Sequence, residues 1–382
     1  MKKTLKSAAA VLLCICLAAG ALSLTGCGKK QDEAPVLENC SIIHEPEFGG
    51  VYITNTIEEF NALGFEYGDS VNITFSNGYE LTGLPYYNGY YTKNGDALLV
   101  AYPGYDYIKA AINNGDDLWE VAGLAETDTA TITLGEKGAF SDIQKARDIH
   151  YTDERTDYKS DEIFANFRAI DVTGIKKNFL YRSASPCDNQ HNRAPFTDSL
   201  MKAAGVEFIL NLSDNDEKIE GYMCKEDFAS PYFKTLYEGG NVKPIALNMN
   251  IASDEFKEKI ADGFAAMIKS EGPCLIHCTE GKDRTGFVCM LLEALAGVSY
   301  DEIAEDYMIT YANYYNITQT SDPERYTTIV DSVLNPMIQS MTGDENANVK
   351  TADLSSYAEN FLKDAGMTGE QIAALKEMIS PQ

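Results

Sequence analysis

The chain has 382 residues, of which 45% are hydrophobic and 23% charged, so it is too long for one ordinary domain and too apolar for a disordered chain. This composition also excludes a collagen, a coiled coil and a small disulfide scaffold, and it predicts two folded domains. With 58 acidic residues against 31 Lys and Arg, the formal net charge is −27, so the surface repels polyanions and a nucleic-acid partner is not expected.

The first residues have the pattern of an export signal. Three lysines precede an apolar run over 8–24, which suits a secretory signal peptide. The run ends in Leu24-Thr25-Gly26-Cys27, which resembles the bacterial lipobox, where the cysteine receives a diacylglyceryl group. We therefore expect residues 1–26 to be removed and a lipidated Cys27 to anchor the protein to the cell membrane on its extracytoplasmic side, since two acyl chains suffice for stable anchoring. An uncleaved transmembrane anchor is the alternative. Residues 27–40 are polar and are interpreted as a tether.

The next segment, 41–135, is interpreted as a small β-rich domain. Alternating side chains over 71–75 are followed by Asn77-Gly78, which is typical of a hairpin turn, and Asn88-Gly89 and Asn94-Gly95 repeat this turn signal. Further strands are predicted at 97–100 and 129–134.

Four tyrosines cluster near these turns, at Tyr86, Tyr87, Tyr90 and Tyr91. We interpret them as aromatic pairs packed across strands around a hairpin, in preference to a platform on which a sugar stacks.

Residues 136–160 are interpreted as a linker to a second domain, 161–382, in which strands and helices alternate. Apolar side chains over 255–269 fall on one helical face. A strand, a helix and a second strand in this order imply a parallel sheet, so the predicted class is α/β with a mostly parallel sheet flanked by helices. Strands are predicted at 208–212, 245–249 and 274–277, helices at 286–296 and 301–315, and a capping box at Thr368-Gly369-Glu370-Gln371.

The cysteines lack the regular spacing of a disulfide framework. Cys274 and Cys289 lie in apolar segments and are interpreted as buried free thiols.

The segment from His277 to Gly286 carries the chemistry. Cys278 follows a short apolar strand, and a loop with Gly281 leads into a predicted helix. Loop N–H groups and a helix N-terminus together form a cradle for an anion. Arg284 lies six residues after Cys278 and can return across the loop to bind two phosphate oxygens. Because cysteines at such positions are mostly thiolate at neutral pH, we expect Cys278 to attack phosphorus.

A second segment has the same cysteine-to-arginine spacing, from Cys187 to Arg193. It lacks the loop glycine, the apolar strand before it and the clear helix after it, so Cys278 is the preferred nucleophile. We interpret Asp188, His191 and Arg193 as a polar surface loop, with a wall of the substrate approach as the alternative.

The sequence Gly281-Lys282-Asp283-Arg284-Thr285-Gly286 after His277-Cys278 resembles the signature loop of cysteine-dependent protein tyrosine phosphatases, most closely of their bacterial branch. That branch includes secreted tyrosine and dual-specificity phosphatases, some also active on phosphoinositides. The resemblance spans about residues 160–380. It also includes Asn166-Phe167-Arg168, the segment from Leu180 to Ser185, the segment from Gly205 to Leu212, and Asp306-Tyr307.

The resemblance implies the cysteine-phosphatase fold and a role for each residue of the loop. Cys278 would be the nucleophile and form a phosphocysteine, Arg284 would bind the phosphate, and His277 would hold the loop. Thr285 would donate a hydrogen bond to the sulfur. Lys282 would place a charge near the substrate oxygens, with a solvated loop lysine as the alternative. The predicted substrate-binding residues are Thr279, Glu280, Gly281, Lys282, Thr285 and Gly286.

The general acid is left open between two carboxyl groups. Asp254 lies 24 residues before Cys278, where dual-specificity relatives carry their acid, although it also suits the first turn of a helix after Ser253. Asp283, inside the loop, is the alternative that the bacterial branch suggests. Many members of the branch have Asp-Leu-Arg where this chain has Asn211-Leu212-Ser213, which removes one candidate acid. Asp214 and Asp216, close by, are interpreted as solvated turn residues.

The sequence therefore predicts a lipid-anchored phosphatase that hydrolyses phosphate monoesters, phosphotyrosine first, with phosphoserine and phosphothreonine as further substrates. No metal or organic cofactor is expected, because the loop and Arg284 supply the positive charge. The alternatives are an inositol-phosphate or phosphoinositide phosphatase, which Lys282 and a wide basic pocket would favour, and a phosphate-binding surface module without catalysis. The ligand of the β-rich domain is left open.

Overall fold

A computed structural model of the protein describes residues 34–381. The predicted signal peptide, Cys27 and half of the predicted tether lie outside the described residues. The end of the predicted tether is not a tether, because residues 36–40 belong to the first strand. From Pro35 onward the chain forms one compact unit. This unit contains a β-barrel and a five-stranded sheet with helices, which confirms the predicted mixed α/β class. The predicted boundaries between the segments stay predictions.

The N-terminal part is a closed barrel of seven strands, in the spatial order β1-β2-β6-β5-β4-β3-β7. Val71, Ile73 and Phe75 point into its interior and are almost fully buried, as the alternation predicts. Two short helices lie in the connections. The elements are β1 (Val36–His44), β2 (Val51–Ile53), α1 (Ile57–Ala62), β3 (Ser70–Phe75), β4 (Glu80–Tyr87), β5 (Ala97–Val100), β6 (Ile108–Ile112), α2 (Leu118–Val121) and β7 (Thr129–Leu134).

The predicted hairpin turns have different outcomes. The turn at Asn77-Gly78 is confirmed, because β3 and β4 on its two sides pair antiparallel. The hairpin predicted at Asn88-Gly89 is wrong, because the strands before and after it, β4 and β5, pair in parallel. Parallel neighbours need a crossover connection, so the turn dipeptides at Asn88-Gly89 and Asn94-Gly95 lie inside one longer loop.

The four tyrosines pack mainly inside the protein. Tyr86 and Tyr87 are buried, and the Tyr86 hydroxyl donates to Asn61 Oδ1 at 2.7 Å. The ring of Tyr87 packs against Tyr91, with 5.4 Å between centroids. Packing is therefore the correct interpretation for Tyr86 and Tyr87, although the loop that follows them is not a hairpin turn.

The segment interpreted as a linker contains helix α3 (Ser141–Arg147) and a short 3₁₀ turn (Arg155–Asp157). Gln144 and Ala146 of α3 are buried, and Phe140 and Ile143 pack against the cluster around Tyr87. This segment is therefore packed onto the barrel and not extended between two separate bodies.

The C-terminal part is built on a five-stranded sheet with the order β11-β10-β12-β9-β8. Four of the strands are parallel, and β8 is antiparallel to β9 at the edge. The sheet strands are β8 (Arg168–Ala169), β9 (Leu180–Ser183), β10 (Phe208–Asn211), β11 (Val242–Pro244) and β12 (Cys274–His277).

The middle strand, β12, is buried along its whole length and has a parallel neighbour on each side. The carboxyl ends of three parallel strands therefore meet around Cys278, which follows β12 directly. The strand predicted at 245–249 is wrong: β11 ends at Pro244, and Ala246 adopts a φ of 42°, which no regular strand allows.

Helices cover both sides of this sheet, and a π-helical segment at Val330–Leu334 joins two of them. The predicted helix over 255–269 is confirmed as α8, and the predicted capping box at Thr368 is present at the start of α14. The helices are α4 (Asp161–Phe164), α5 (Ala194–Ala203), α6 (Asp216–Met223), α7 (Pro231–Glu238), α8 (Asp254–Met267), α9 (Asp283–Leu295), α10 (Tyr300–Tyr315), α11 (Pro323–Ile329), α12 (Asn335–Thr342), α13 (Leu354–Asp364) and α14 (Gly369–Ile379).

Candidate active site

The predicted strand, loop and helix are present around Cys278. The residue follows β12 and is only 3% exposed. The loop ends where α9 begins at Asp283, and no side chain caps the N-terminus of this helix. The first-turn N–H groups of α9 therefore stay free to bind an anion, with the positive end of the helix dipole behind them.

Gly281 gives the loop its tight turn. Its φ is +70°, in the region that favours glycine, and a Cβ atom at this position would overlap the carbonyl oxygen of Ser183 in β9. Gly286, one turn into α9, allows a close contact between helices, because a Cβ atom there would lie 2.6 Å from Cε2 of Tyr307. Both glycines are thus required by packing at the places where the sequence predicts them.

The side chain of Arg284 folds back over the loop. Its Nη2 donates to Thr279 Oγ1 at 3.1 Å, and its Nη1 donates to the carbonyl oxygen of Leu247 at 3.4 Å. The guanidinium is therefore held beside the loop that starts at Cys278, with further N–H groups available for a ligand.

His277 is fully buried at the base of the loop. Its Nδ1 donates to the carbonyl oxygen of Cys278 at 3.3 Å. Burial is the main cause that lowers the pKa of His277 to about 4, and the charge of Arg284 acts in the same direction against that of Asp214. The imidazole is therefore neutral near pH 7, and its Nε2 has no partner within residues 34–381.

Thr285 is fully buried in the first turn of α9. Its hydroxyl has no hydrogen-bond partner among the residues that the structure describes. The hydroxyl is thus free for the predicted bond to the sulfur, which stays a prediction.

Lys282 and Glu280 form an ion pair within the loop. The Lys282 ammonium lies 3.0 Å from Glu280 Oε2 and 3.4 Å from the hydroxyl of Tyr315, and it is mostly buried. Burial opposes ionisation of the Glu280 carboxylate, but Lys282 outweighs it and holds the pKa of this carboxyl below its usual value. The interpretation of Lys282 as a solvated loop lysine is therefore wrong, and its charge is shared with Glu280.

A buried ionic network supports the loop from behind. Arg182 Nη2 donates to the carbonyl oxygen of Gly281 at 3.2 Å, while Arg182 Nη1 lies 2.7 Å from Asp306 Oδ2. Arg168 contacts the other oxygen of Asp306 at 3.2 Å. Burial and the charge of Asp306 raise the pKa of the neighbouring Glu293 carboxyl well above its usual range, which favours its neutral form. Two guanidiniums thus share one carboxylate, which leaves net positive charge beneath the loop.

Asn166 adds a neutral support to the same loop. Its Nδ2 lies 3.2 Å from the carbonyl oxygen of Gly281 and 3.1 Å from Thr310 Oγ1. In the sequence, the segments with Asn166, Arg168, Arg182 and Asp306 are recognisable only as matches to a family. Their contribution to the loop was missed, because residue spacing gives no sign of contacts between such distant segments.

The two candidate acids lie in different surroundings. Asp254 starts α8 and is exposed, and no described hydrogen bond or ion pair involves its carboxylate. Asp283 starts α9, is 45% exposed and lies 3.9 Å from Lys282 Nζ. Asp283 also lines a cavity of about 240 Å³ beside the loop.

Asp214 is not a solvated turn residue, so that interpretation is wrong. It is 3% exposed and accepts hydrogen bonds from Asn211 Nδ2 at 3.1 Å, Ser213 Oγ at 2.8 Å and the hydroxyl of Tyr222 at 3.3 Å. A carboxylate with these donors is a structural acceptor near His277. Asp216 starts α6 and is exposed, as expected.

The second cysteine-to-arginine segment is structural. Arg193 is 2% exposed, pairs with Asp153 at 2.6 Å and lies over the rings of Tyr151, Phe164 and Tyr314 at 4.8, 4.7 and 5.0 Å. The interpretation of Arg193 as part of a surface loop is therefore wrong. Burial raises the pKa of the Cys187 thiol far above its usual value, so this residue is not a nucleophile.

Cys274 and Cys289 are buried free thiols, as predicted. Burial raises the pKa of both Cys274 and Cys289 to about 12. Within the described range, no group of three or more His, Cys, Asp or Glu side chains is placed to hold a metal ion. The helices described for residues 34–381 include none with the length and apolar character needed to cross a membrane.

Comparisons with known proteins indicate the family to which the chain is similar. The model of a family described as the tyrosine phosphatase family matches residues 164–380. A curated protein of Cupriavidus necator, named a putative tyrosine-protein phosphatase, is 30% identical over 112 residues, which are 29% of this chain and 41% of that protein. A tyrosine-protein phosphatase of Nostoc commune is 32% identical over 117 residues, 28% of this chain and 39% of the relative. The chain thus matches about two fifths of the length of these relatives.

Two solved structures are similar over a larger share of their own length. One is P. aeruginosa TpbA in complex with pTyr, at 14% identity and a TM-score of 0.27, with 48% of this chain and 86% of that chain covered. The other is TpbA alone, also at 14% identity, with a TM-score of 0.22 and coverage of 55% and 94%.

Proposed function

The chain belongs to the tyrosine phosphatase family, and we propose on this basis that it hydrolyses phosphotyrosine through a phosphocysteine on Cys278. The observation that carries the proposal is the loop between β12 and α9, which holds a thiol, an uncapped helix N-terminus and the guanidinium of Arg284 in one place. In this proposal residues 161–382 form the cysteine-phosphatase fold.

The phosphate group would bind in the cradle of the loop. Its oxygens would accept hydrogen bonds from the free N–H groups at the start of α9 and from the two terminal nitrogens of Arg284. The net positive charge of the network around Arg182 lies beneath the same loop and favours the dianion. These groups supply the charge that a metal ion supplies in other phosphatases, so we expect activity to persist in a chelating agent.

In the first step, the thiolate of Cys278 attacks phosphorus and forms a sulfur–phosphorus bond. The bond from phosphorus to the tyrosyl oxygen breaks, and this oxygen takes a proton from a carboxyl group. In the second step, a water molecule gives its proton to the same carboxylate and attacks phosphorus. The sulfur leaves as a thiolate, which the hydroxyl of Thr285 stabilises, and inorganic phosphate is released.

A test of the nucleophile compares Cys278→Ser with Cys224→Ser, which changes an exposed thiol outside the loop. With a phosphotyrosyl peptide, we expect Cys278→Ser to lower kcat by at least about 10³-fold, because a serine hydroxyl is a far weaker nucleophile at neutral pH. Cys224→Ser should be as active as the unchanged protein, and vanadate should inhibit both active forms. Full activity of Cys278→Ser would contradict the proposal.

The acid can be assigned by comparing Asp254→Asn with Asp283→Asn on two aryl phosphates that differ in leaving-group pKa. Loss of the true acid should lower kcat about 10²-fold or more on the poor leaving group and far less on the good one, which leaves without a proton. The other variant should show no such difference. Each of the two carboxylates is free of side-chain hydrogen bonds in the described structure, so both stay candidates.

Hydrolysis of phosphoserine, phosphothreonine or inositol phosphates on the same loop stays a prediction. Lys282 and a wide basic pocket would favour inositol phosphates, but the Lys282 ammonium pairs with Glu280 at 3.0 Å. This pair gives phosphotyrosine priority among the substrates to be tested.

We also propose that the protein is a lipoprotein, anchored to the cell membrane through Cys27 with its bulk outside the cytoplasm. The support is the pattern of lysines, apolar run and Leu24-Thr25-Gly26-Cys27 in the sequence. Cys27→Ala should abolish metabolic labelling with palmitate and partition into detergent, whereas Cys224→Ala should change neither. Unchanged labelling of Cys27→Ala would contradict this anchor.

A further inference from the structure

A cavity lies between the barrel, helix α3 and the C-terminal helices, and it meets the proposed active site at the first residue of α9. It has a volume of about 240 Å³, and its lining includes Asp283, the residue next to Arg284. It adjoins a wider cavity of about 600 Å³, because the two share Thr92, Lys93, Ser332 and Pro336. Part of a substrate whose phosphate is bound at Arg284 can therefore extend toward the barrel.

Unpaired hydrogen-bond donors line this cavity. Arg147, in the last turn of α3, makes no side-chain hydrogen bond or ion pair with the described residues, and its guanidinium only lies over the ring of Tyr91 at 4.9 Å. Lys93, from the barrel, has no acidic partner in the same range. The hydroxyls of Thr92 and Ser332 are buried and also lack partners within it. Buried donors without partners are uncommon, and together these four groups suit an anion.

The segment that carries Ser332 is itself unusual. Val330–Leu334 is π-helical, between α11 and α12, and π-helical turns occur frequently at functional sites. The lining also contains two carboxylates, neither of which pairs with Arg147 or Lys93. Asp283 lies near Lys282, at 3.9 Å, and Glu345 is exposed at the rim.

We infer that this cavity is a second subsite, in which Arg147 and Lys93 bind an anionic group that the phosphotyrosyl substrate carries near its scissile phosphate. The inference rests on the proposed function, and it makes the barrel and α3 determinants of substrate choice. A carboxylate of an acidic side chain and a second phosphate on the same peptide offer the same chemistry, so the experiment includes both.

The test uses three matched peptides with a central phosphotyrosine. One has glutamates on both sides, one has glutamines, and one has glutamines and a nearby phosphoserine. For each peptide, kcat/KM is measured for the full chain and for Arg147→Gln and Lys93→Gln. The preference for either anionic peptide over the glutamine peptide should fall roughly threefold to tenfold in both variants, since partly exposed charge pairs have modest energies.

Lys145→Gln is the matched control. Lys145 lies on the same helix, is exposed and does not line the cavity, so this change removes the same charge without touching the subsite. It should leave the preference unchanged. Lys93 is also exposed, so Lys93→Gln tests the subsite even if Arg147→Gln fails to fold.

If the two variants lose preference for the glutamate peptide, the ligand of the subsite is a carboxylate. If they lose preference for the phosphoserine peptide alone, the ligand is a second phosphate. Equal preferences in the unchanged protein, Arg147→Gln and Lys93→Gln would overturn the inference. The Kd values of the three peptides for the Cys278→Ser variant give the same comparison without turnover. Selective binding by a protein that hydrolyses none of the peptides would therefore contradict the proposed function and leave the subsite supported.

Discussion

The loop after β12 keeps its shape only while the imidazole of His277 is neutral. The ring is fully buried, Nδ1 donates to the carbonyl oxygen of Cys278, and Nε2 has no partner in the described part of the chain. A proton on Nε2 would add an unpaired donor and a charge in the interior, next to the charge of Arg284. Burial therefore ties the folded state to the deprotonated ring.

This burial predicts a loss of stability in acid. The pKa of His277 is about 4 in the folded protein, against an ordinary value of 6.5, so the unfolded chain binds the proton more strongly. The neutral ring makes its full contribution to the free energy of unfolding above about pH 6.5, and this contribution is lost as the pH falls through 4. It amounts to about 3 kcal/mol at most. Urea unfolding of the unchanged protein and of His277→Asn at a series of pH values measures the difference.

In that comparison, the free energy of unfolding of the unchanged protein should fall more steeply between pH 6.5 and 4 than that of His277→Asn. Both proteins contain the same carboxyl groups elsewhere, so their other titrations largely cancel. Parallel pH profiles would show that His277 binds a proton equally well in the folded and unfolded states, which would contradict its burial as a neutral ring.

The loop and helix α9 form one element whose shape depends on glycine. At Gly281 the positive φ coincides with contact against the backbone of β9. At Gly297, just beyond the other end of α9, the φ is +80° but no atom lies within 4 Å of an added Cβ. The two positions therefore have the same backbone strain, and only Gly281 has the steric overlap.

Gly297→Ala should lower the free energy of unfolding by about 1 kcal/mol, the cost of placing alanine at positive φ. Gly281→Ala should lower it by roughly 2–3 kcal/mol or more, because the carbonyl of Ser183 cannot move without breaking the sheet. It should also lower kcat/KM about 10²-fold by displacing the loop, whereas Gly297→Ala should keep full activity. Equal effects of the two changes on stability and activity would show that the loop tolerates a side chain at 281.

The sequence predicts those parts of the site whose residues are close together in the chain. The positions of Cys278, Gly281 and Arg284 are fixed by one strand, one turn and one helix, so their spacing predicts the arrangement. The support from Arg182 and Asp306 is not visible, because the two side chains meet only after β9 and α10 have packed around the loop. Such contacts between distant segments leave no period or spacing in the sequence.

The wrong prediction of a strand has a similar cause. Alternating apolar residues over 245–249 predict a strand, and Ile245 and Leu247 are indeed buried. The backbone between them turns instead, at Ala246, whose N–H donates to the carbonyl oxygen of Asp214 at 3.1 Å. The alternation therefore indicates which side chains are buried, but it does not show whether the backbone pairs with a neighbouring strand.

At the scale of the whole molecule, the barrel and the α/β part share an interface. Asn94 Nδ2 donates to the carbonyl oxygen of Met249 at 2.8 Å, and Arg325 Nη2 donates to that of Lys145 at 3.1 Å. Composition predicts two folded parts, whereas the contacts across this interface join them into one compact unit. Residues from both parts line the cavity beside Asp283, so the proposed subsite exists only while the interface holds.

The interface predicts that both parts unfold together. The chain has a single tryptophan, Trp119, which is nearly buried in α2 and stacked on His44 at 5.0 Å, so its fluorescence reports the barrel. Far-UV circular dichroism at the helix band reports mainly α4–α14, which lie in the other part. In urea we expect both signals to change with one midpoint and one slope. Trp119→Phe should remove the fluorescence change and keep the dichroism transition. A separate, earlier fluorescence transition would mean that the barrel unfolds alone, and the subsite would then be lost before the catalytic loop.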